Sequence, residues 1–469
     1  MEFLNRAEEM KLLNKVASSK LGGLVVIWGR RRVGKTRLLL EWAKKLNGIY
    51  WVADESSPKI QMHYFARSLD ASFPGFSRVQ YNHWNELFDR IAQEAKYTNW
   101  RGPLIIDEFP YLVSASKELP SIIQRWVDHQ AKDAKITLVL SGSSQRMMQG
   151  LVLNDNAPLY GRARELFKLN PLLAGYLSEA LLLKSSRKIV ESYSLWGGVP
   201  RYLELASEYK DSLLEAANEL VLNPSGVLHQ EPHRLLLDEM PSAMPLRPIL
   251  DAIGSGAHRL SEIGSRVGQS ATSLSHSLTR LRELDLVQRE IPFGESEKSS
   301  KRSLYKIKDP FFRFWFDVVA PRRSLLAESD GKYRIGLLKK HLPELASITW
   351  EQMCLAYVSR TRSLAKVSRW VESGRYWMGK GPEWDVVAKC ENDKNLLLGE
   401  AKWPRRPVTS KYIQDVLCEL KSKGLPPLKN IAKYKIKYCL FLPELPDTIE
   451  KLDKDLLLVD ACAVLKELK

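Results

Sequence analysis

Cysteine, long apolar runs and a leader segment are the features that this sequence lacks or has little of. Only five of the 469 residues are cysteine, all in the last third of the chain, and none forms a Cys-x-x-Cys pair. This argues against a disulfide framework and a structural zinc site. No run of about 18 apolar residues occurs, so no membrane span is encoded, and the first residues resemble no secretion signal. We therefore expect a reduced, cytoplasmic protein without a membrane partner.

Positive charge, in contrast, is in excess and unevenly distributed. Residues 1–250 hold 32 Lys and Arg against 27 Asp and Glu, whereas residues 251–469 hold 39 against 28, which gives +16 overall. The length suggests about three domains. The excess in the second half favours a polyanionic partner, most simply DNA, and a merely solvated basic surface is the alternative.

A glycine-framed loop between an apolar segment and an amphipathic one is the most specific motif of the chain. It matches G-x-x-x-x-G-K-[ST], in which backbone N–H groups and a helix N-terminus surround phosphate oxygens. Lys35 would contact the β- and γ-phosphates of ATP, and the Thr36 hydroxyl would bind Mg²⁺. The predicted nucleotide-binding residues here are Gly29, Arg30, Arg31, Arg32, Val33, Gly34, Lys35, Thr36 and Arg37.

Two carboxylates end the continuous apolar segment that starts at Pro103. Such a segment predicts a strand buried on both faces of a parallel sheet, and ligands bind at the carboxyl ends of these strands. We expect Asp107 to hold the Mg²⁺ shell and Glu108 to orient the attacking water.

Two further residues could reach the γ-phosphate. Ser141 follows the next apolar segment and could sense this group, or it could be an ordinary turn residue. Arg162 follows a polar loop and could stabilise charge on the transferred phosphoryl group, or it could be a surface residue.

These motifs, together with Gly-Gly-Val-Pro-Arg-Tyr-Leu at 197–203, resemble the archaeal-type ATPases, a branch of the AAA+/STAND P-loop NTPases. The resemblance covers residues 1 to about 235. It implies a parallel sheet with a helical lid whose Gly-x-Pro turn contacts the nucleotide, which here involves Val199 and Pro200. It also implies Arg201 as a second sensor.

Residues 242–308 resemble a winged helix-turn-helix. Ser270 is expected to cap a helix with leucines at core spacing, and two strand-like pieces follow it. The helix would enter the DNA major groove, or the module would pack on the ATPase as a conformational arm. The next segment, Lys308–Phe316, has aromatic residues at helical spacing, which favours a core helix over base stacking. A similar motif leads into the C-terminal domain of archaeal-type ATPases.

A second group of charged residues lies near the C-terminus. Glu400 and Lys402 are two apart on a predicted strand and share a face, and Asp385 lies on the expected hairpin partner. Buried carboxylates of this kind need a cation among them, and oxygen ligands suit Mg²⁺ or Mn²⁺. A solvated, charged sheet face is the alternative.

This pattern, over about residues 345–445, resembles the PD-(D/E)xK nucleases, although Trp384 stands where that family has proline. The resemblance implies that Asp385 and Glu400 bind metal, that Glu351 completes the site, and that Lys402 positions the attacking water. A fold that binds DNA without cutting it is the alternative.

Together these features predict an α/β protein with four parts. They are a P-loop ATPase core (1–170), a helical lid (171–241), a winged helix (242–308), and a linker helix with a nuclease-like domain (309–469). We expect an ATP-hydrolysing enzyme that binds DNA and cleaves it with a second Mg²⁺ or Mn²⁺ site. The alternatives are a nucleotide-dependent switch and a DNA-binding regulator without nuclease activity, and a homo-oligomer is one possible assembly.

Overall fold

The computed structural model contains two sheet-centred regions that are connected by helical segments. It describes residues 3–19, 21–152, 155, 157–209, 212–239, 246–298, 300, 302–362, 364, 369–379, 381–448, 453 and 455–469. The predicted boundary at 241/242 lies outside the described residues. In the described part of the chain, no helix combines the length and the apolar character that crossing a membrane would need.

A parallel sheet forms the centre of the first half of the chain. Its five strands are β1 (Gly23–Trp28), β2 (Ile49–Val52), β3 (Pro103–Asp107), β4 (Thr137–Gly142) and β5 (Ala163–Lys168). The order is β2-β3-β4-β1-β5, and all neighbours run parallel. All residues of β3 and β4 are buried, as expected for strands covered on both faces. The predicted α/β class with a parallel P-loop sheet is confirmed.

Helices cover both faces of this sheet. They are α1 (Ala7–Ala17), α2 (Lys35–Lys45), α3 (Pro58–Leu69), α4 (Trp84–Tyr97), α5 (Phe109–Ala115), α6 (Leu119–Asp128), α7 (Gln130–Ala134) and α8 (Gln145–Val152). Alternate residues of β1 enter different cores, with Val25 and Ile27 on one side and Leu24 and Val26 on the other. This alternation follows from the two-residue period of a strand.

A helical region follows and leads into three further helices and a small antiparallel sheet. The helical region contains α9 (Leu177–Ala180), α10 (Ser186–Trp196), α11 (Pro200–Ser207), α12 (Leu213–Ala217) and α13 (Glu231–Glu239), and the three further helices are α14 (Arg247–Gly254), α15 (Leu260–Val267) and α16 (Ala271–Glu283). The two strands are β6 (Val287–Glu290) and β7 (Leu304–Ile307). Ser270 Oγ accepts a hydrogen bond from the Ser273 N–H group and caps α16, and these elements match the order expected for residues 242–308.

The loop between β6 and β7 packs on the C-terminal region. The Phe293 N–H group donates to the Arg375 carbonyl oxygen at 2.7 Å, and the buried Phe293 ring belongs to the core around Tyr376 and Trp384. At the other end of this small sheet, Asp285 pairs with Lys168 at the end of β5. The three-helix module therefore contacts both sheet-centred regions.

The C-terminal region contains a mixed sheet. Its elements in chain order are α17 (Pro310–Phe314), α18 (Arg323–Glu328), α19 (Gly331–Arg360), β8 (Glu372–Tyr376), β9 (Trp384–Cys390), β10 (Asn395–Ala401), α20 (Ser410–Ser422), β11 (Lys435–Leu442), β12 (Leu456–Asp460) and α21 (Ala461–Glu467). The sheet order is β12-β11-β10-β9-β8, antiparallel from β8 to β10 and parallel from β10 to β12. Phe311, Phe314 and Trp315 are almost fully buried, as the core-helix interpretation expects.

Candidate functional site

The phosphate loop connects the buried β1 to the first turn of α2. Gly34 has a φ of 95°, which only glycine adopts without strain. At Gly29, a Cβ atom would lie 2.5 Å from the Leu169 carbonyl oxygen. The Lys35 ammonium group donates to the Gly29 carbonyl oxygen at 2.7 Å and to Ser143 Oγ at 3.0 Å. The backbone path therefore requires both glycines, and it places the lysine at the carboxyl edge of the sheet.

A cavity of about 610 Å³ opens over this loop. This volume is typical of small-molecule and cofactor sites. Its wall combines the cationic loop with apolar side chains from the N-terminal segment, α2 and the helical region. The lining residues are Phe3, Leu4, Arg6, Arg31, Arg32, Val33, Gly34, Lys35, Thr36, Arg37, Leu40, Glu108, Tyr111, Ser143, Leu172, Pro200, Arg201 and Glu204. A cavity with one cationic and one apolar wall suits a nucleoside triphosphate.

Asp107 is fixed at the end of β3 by three donors. Its Oδ2 atom accepts from the Thr36 hydroxyl at 2.8 Å and from the Tyr50 hydroxyl at 2.7 Å, and its Oδ1 atom accepts from the Glu108 N–H group at 3.0 Å. Because Thr36 donates its proton to Asp107, its oxygen lone pairs are available to a metal ion. The pair has the oxygen donors that Mg²⁺ prefers. Sequence reasoning missed Tyr50, which lies on the adjacent strand β2.

Glu108 contacts the strand-end serine that also contacts the lysine. Its backbone is left-handed, with a φ of 52°. One carboxylate oxygen accepts from the Ser143 N–H group at 3.1 Å, and the other accepts from the Ser143 hydroxyl. The predicted sensor Ser141 lies instead within β4, buried and without a hydrogen-bond partner for its hydroxyl. Because β4 continues to Gly142, Ser143 is the first residue to emerge at the edge.

The arginines of the phosphate loop point in different directions. Arg31 donates to the Tyr111 hydroxyl at 3.0 Å and lines the cavity together with Arg32. Arg30 is buried and does not line the cavity; its Nη1 atom lies 2.7 Å from Asp309 Oδ2. The phosphate role predicted for Arg30 is therefore not supported by its position.

Two other predicted nucleotide contacts differ in location. Pro200 lines the cavity, and a Cβ atom at Gly34 would lie 3.7 Å from its ring, so the first turn of α11 packs against the phosphate loop. Arg162 pairs with Asp128 at 3.0 Å and is absent from the cavity wall. Its role at a phosphoryl group stays a prediction, and in this structure its side chain does not reach the cavity.

The C-terminal charged residues meet where β9 and β10 lie side by side. Asp385 Oδ2 accepts from the Ala401 N–H group at 3.0 Å. Glu400 is buried, and its two oxygens lie 2.8 Å from Lys402 Nζ and 2.6 Å from Lys423 Nζ. The predicted residues Asp385, Glu400 and Lys402 are thus brought together, and Lys423 at the end of α20 is an additional cation that sequence reasoning missed.

Glu351 of α19 approaches the same group from another element. Burial and the charge of Asp385 raise the pKa of Glu351 to about 7, and burial and the charge of Glu400 raise the pKa of Asp385. Arg375 Nε lies 3.8 Å from Glu351. Within the described ranges, no three carboxylate, thiol or imidazole side chains converge as a metal-holding group. The carboxylates influence one another, and the cations next to them belong to the chain itself.

Comparison with protein families divides the chain into two matched parts. Residues 3–206 match a family described as "ATPase domain predominantly from Archaea". Residues 315–415 match a family described as "Archaea bacterial proteins of unknown function". The first match contains the phosphate loop and the Asp107–Glu108 pair, and the second contains Glu351, Asp385, Glu400 and Lys402.

Comparison with whole proteins extends this result. The Walker-type ATPase PABY2304 of Pyrococcus abyssi shares the fold, with a TM-score of 0.52 and 19% identity over 67% of this chain and 96% of that chain. The uncharacterized protein MJECL04 of Methanocaldococcus jannaschii is 31% identical over 402 residues, 86% of this chain and 87% of the relative. The chain therefore belongs to the same family as MJECL04, and its residues 3–206 form a P-loop ATPase domain of the kind found predominantly in Archaea.

Proposed function

We propose that this protein is an ATP-driven DNA-processing enzyme, in which the ATPase cycle controls metal-dependent phosphodiester cleavage by the C-terminal domain. One observation carries the proposal: Asp385 of β9, Glu400 of β10 and Lys402, which directly follows β10, meet beside Glu351 of α19. A chain with a separate ATP site has no evident need for such a group in ATP hydrolysis.

The ATPase half of the proposal assigns a task to each residue at the sheet edge. Lys35 binds the phosphates, and Thr36 and Asp107 would hold Mg²⁺, which would neutralise charge on the phosphates. Glu108 orients a water and accepts its proton as the oxygen attacks the γ-phosphorus, and ADP leaves with the bridging oxygen. Because Ser143 now holds both Glu108 oxygens, Glu108 has to turn from this serine toward the water.

The DNA half depends on charge and on hard oxygen donors. Asp385 and Glu400 carry the hard oxygen donors that Mg²⁺ and Mn²⁺ prefer, and a metal ion bound here would take the place of Lys402 and Lys423 beside Glu400. A bound ion would polarise the phosphate and lower the pKa of a water, and Lys402 would hold that water. The exposed face of α16, with Thr272, His276 and Thr279, is the surface we assign to the DNA major groove.

An incubation of the full-length protein with supercoiled plasmid, Mn²⁺ and ATP tests this proposal. We expect nicked or linear DNA with wild type, and a loss of at least 100-fold with Asp385→Ala or Lys402→Ala. Lys421→Ala is the matched control, since Lys421 lies in the last turn of α20, close to Lys423 in sequence, but pairs with the exposed Asp453. Equal cleavage by wild type and Lys402→Ala, or none under any condition, contradicts nuclease activity.

A nucleotide-dependent switch is the second candidate, and one observation favours it. The cations Lys402, Lys423 and Arg375 already lie beside the carboxylates, as they would in a domain that uses this group only for structure. This candidate predicts slow turnover, retained nucleotide and no cleavage. DNA binding without cleavage would instead show a steep salt dependence and no response to Asp385→Ala.

A homo-oligomer remains a prediction. Arg162 lies away from the cavity of its own chain, so a contact with a γ-phosphate would require a neighbouring copy. Mixing Lys35→Ala and Arg162→Ala chains tests it: hydrolysis restored only in the mixture supports action across subunits, and additive residual rates contradict it.

A further inference from the structure

The phosphate loop is tied to the part of the chain beyond the ATPase domain by a buried ion pair. Arg30 Nη1 lies 2.7 Å from Asp309 Oδ2, and the two side chains are 10% and 8% exposed. These residues are separated by 279 positions. Asp309 lies outside the segment that matches the ATPase family.

A second ion pair starts from the same loop. Arg32 Nη1 lies 2.5 Å from Glu231 Oε2, and Glu231 is only 4% exposed. The Tyr202 hydroxyl joins the two pairs, because it donates to Glu231 at 2.8 Å and accepts from Arg30 at 3.4 Å. Two loop arginines, a lid tyrosine and two distant carboxylates therefore form one network, which is buried except at Arg32, whose side chain is 34% exposed.

The position of Arg30 bears directly on the catalytic lysine. The Lys35 ammonium group donates to the carbonyl oxygens of Gly29 and Arg30, at 2.7 and 3.3 Å. A shift of Arg30 would move acceptors that hold Lys35. Removal of one partner of a buried ion pair leaves an uncompensated charge, which drives such shifts.

We propose that Asp309 and Glu231 are positioning residues of the ATP site: they hold Arg30 and Arg32, and through them the phosphate loop and Lys35. The ATP site is then completed by residues outside the segment that matches the ATPase family. Arg30 fixes the loop through its ion pair with Asp309, and Arg32 lines the cavity while its ion pair with Glu231 connects the loop to the lid.

Asp309 also links this anchor to the C-terminal region. Its other oxygen accepts from the Phe312 N–H group at 2.9 Å and caps α17. From α17, Arg313 donates to Gln352 of α19 at 2.6 Å, next to Glu351. A shift of the phosphate loop would therefore be transmitted through α17 to α19, the helix that carries Glu351. Only this last step rests on the proposed function.

The test compares two helix-capping aspartates in the full-length protein. Asp309→Asn keeps an oxygen for the cap but removes the charge that faces Arg30. Asp330→Asn is the matched control, since Asp330 caps α19 by accepting from the Tyr333 N–H group at 2.8 Å. We expect Asp309→Asn to weaken binding of fluorescent ADP and ATP analogues at least tenfold and to raise KM more than it lowers kcat, and Asp330→Asn to change both less than twofold.

Rescue separates positioning from general destabilisation. We expect the double variant Arg30→Gln with Asp309→Asn to bind nucleotide better than Asp309→Asn alone, because no unpaired charge remains, and Asp309→Glu to retain most of the affinity. If Asp309→Asn fails to fold by circular dichroism, Arg30→Lys and Glu231→Gln replace it in the same assay.

Three results would overturn the proposal. The first is folded Asp309→Asn with wild-type affinity and KM, the second is an equal loss in Asp330→Asn, and the third is strictly additive losses in the double variant. Because nucleotide binding is the readout, the outcome does not depend on whether the C-terminal domain cleaves DNA.

Discussion

The two charged centres of this protein differ in the groups that surround their cations. At the ATP site, Lys35 lies on backbone carbonyls and a serine, beside a cavity that Arg31 and Arg37 also line. At the C-terminal site, the lysines pair with Glu400. The cationic wall of the first centre faces an open cavity that can receive an anion, whereas a metal ion at the second centre would have to compete with internal cations.

The largest expected effect concerns hydrolysis at the first centre. Glu108→Gln should lower ATP turnover by about 10² to 10³, since loss of a general base has effects of this size. Nucleotide binding should remain within about threefold, because Lys35 and the loop are untouched. Steady-state phosphate release and analogue binding measure the two quantities. Glu118→Gln, on an exposed carboxylate in the same region, should alter neither; unchanged turnover in Glu108→Gln would exclude it as the base.

The same substitution in the two centres should have opposite effects on stability. Asp107→Asn places an amide where two hydroxyls and an N–H group donate, and loss of one such buried bond costs about 1–3 kcal/mol. Asp385→Asn removes a buried charge beside Glu400 and keeps an acceptor for the Ala401 N–H group. We expect the first variant to lower the midpoint of thermal unfolding and the second to raise it.

Metal sharpens this contrast. Mn²⁺ without nucleotide should raise the unfolding midpoint of wild type and not that of Asp385→Asn, because ligand that binds only the folded state stabilises it. Two results would contradict this expectation: equal responses of the two proteins to Mn²⁺, or a lower midpoint for metal-free Asp385→Asn than for wild type. Either would mean that the neighbouring lysine and arginine stabilise the Asp385 charge more than Glu400 destabilises it.

How much could be predicted from the sequence depends on how local each feature is. Gly29 to Thr36 and the Asp107–Glu108 pair are contiguous, so the motif alone indicates both the chemistry and the loop. A short hairpin separates Asp385 from Glu400 and Lys402. The hairpin and the two-residue period of a strand are therefore enough to predict that these three residues lie together.

The remainder of the site could not be predicted because it depends on strand ends and distant contacts. Ser141 and Ser143 are two residues apart, so the sequence does not distinguish between them. Because β4 ends at Gly142, Ser143 lies beyond the strand and contacts Lys35, whereas Ser141 stays inside the sheet. The pairing of Arg30 with Asp309 spans 279 positions, and no local pattern encodes it. For the 242–308 module the sequence predicts DNA contact, with packing on the ATPase as the alternative, and neither interpretation includes the contact that Phe293 makes with the C-terminal core.

The smallest expected effect is that of Tyr50→Phe on the binding of Mg²⁺. It tests whether Asp107, which accepts three hydrogen bonds, is oriented more rigidly than Asp385, for which one donor is described. The Tyr50 hydroxyl shares Asp107 Oδ2 with Thr36, and burial beside Asp107 raises the pKa of Tyr50, so it stays a proton donor. Tyr50→Phe removes this donor at almost constant volume. We expect the Mg²⁺ concentration for half-maximal nucleotide binding to rise about tenfold, since groups that orient a metal ligand have effects of this size.

Binding measured without Mg²⁺ separates this role from general damage. Tyr50→Phe should then bind ADP as wild type does, because no group that contacts the phosphates has changed. Tyr64→Phe is the control, as the Tyr64 ring on α3 is 45% exposed, and it should respond to Mg²⁺ like wild type. If Tyr50→Phe keeps the wild-type Mg²⁺ dependence, Thr36 and the Glu108 N–H group alone suffice to orient Asp107, and the rigidity of the first centre comes from the backbone of β3 rather than from its neighbour β2.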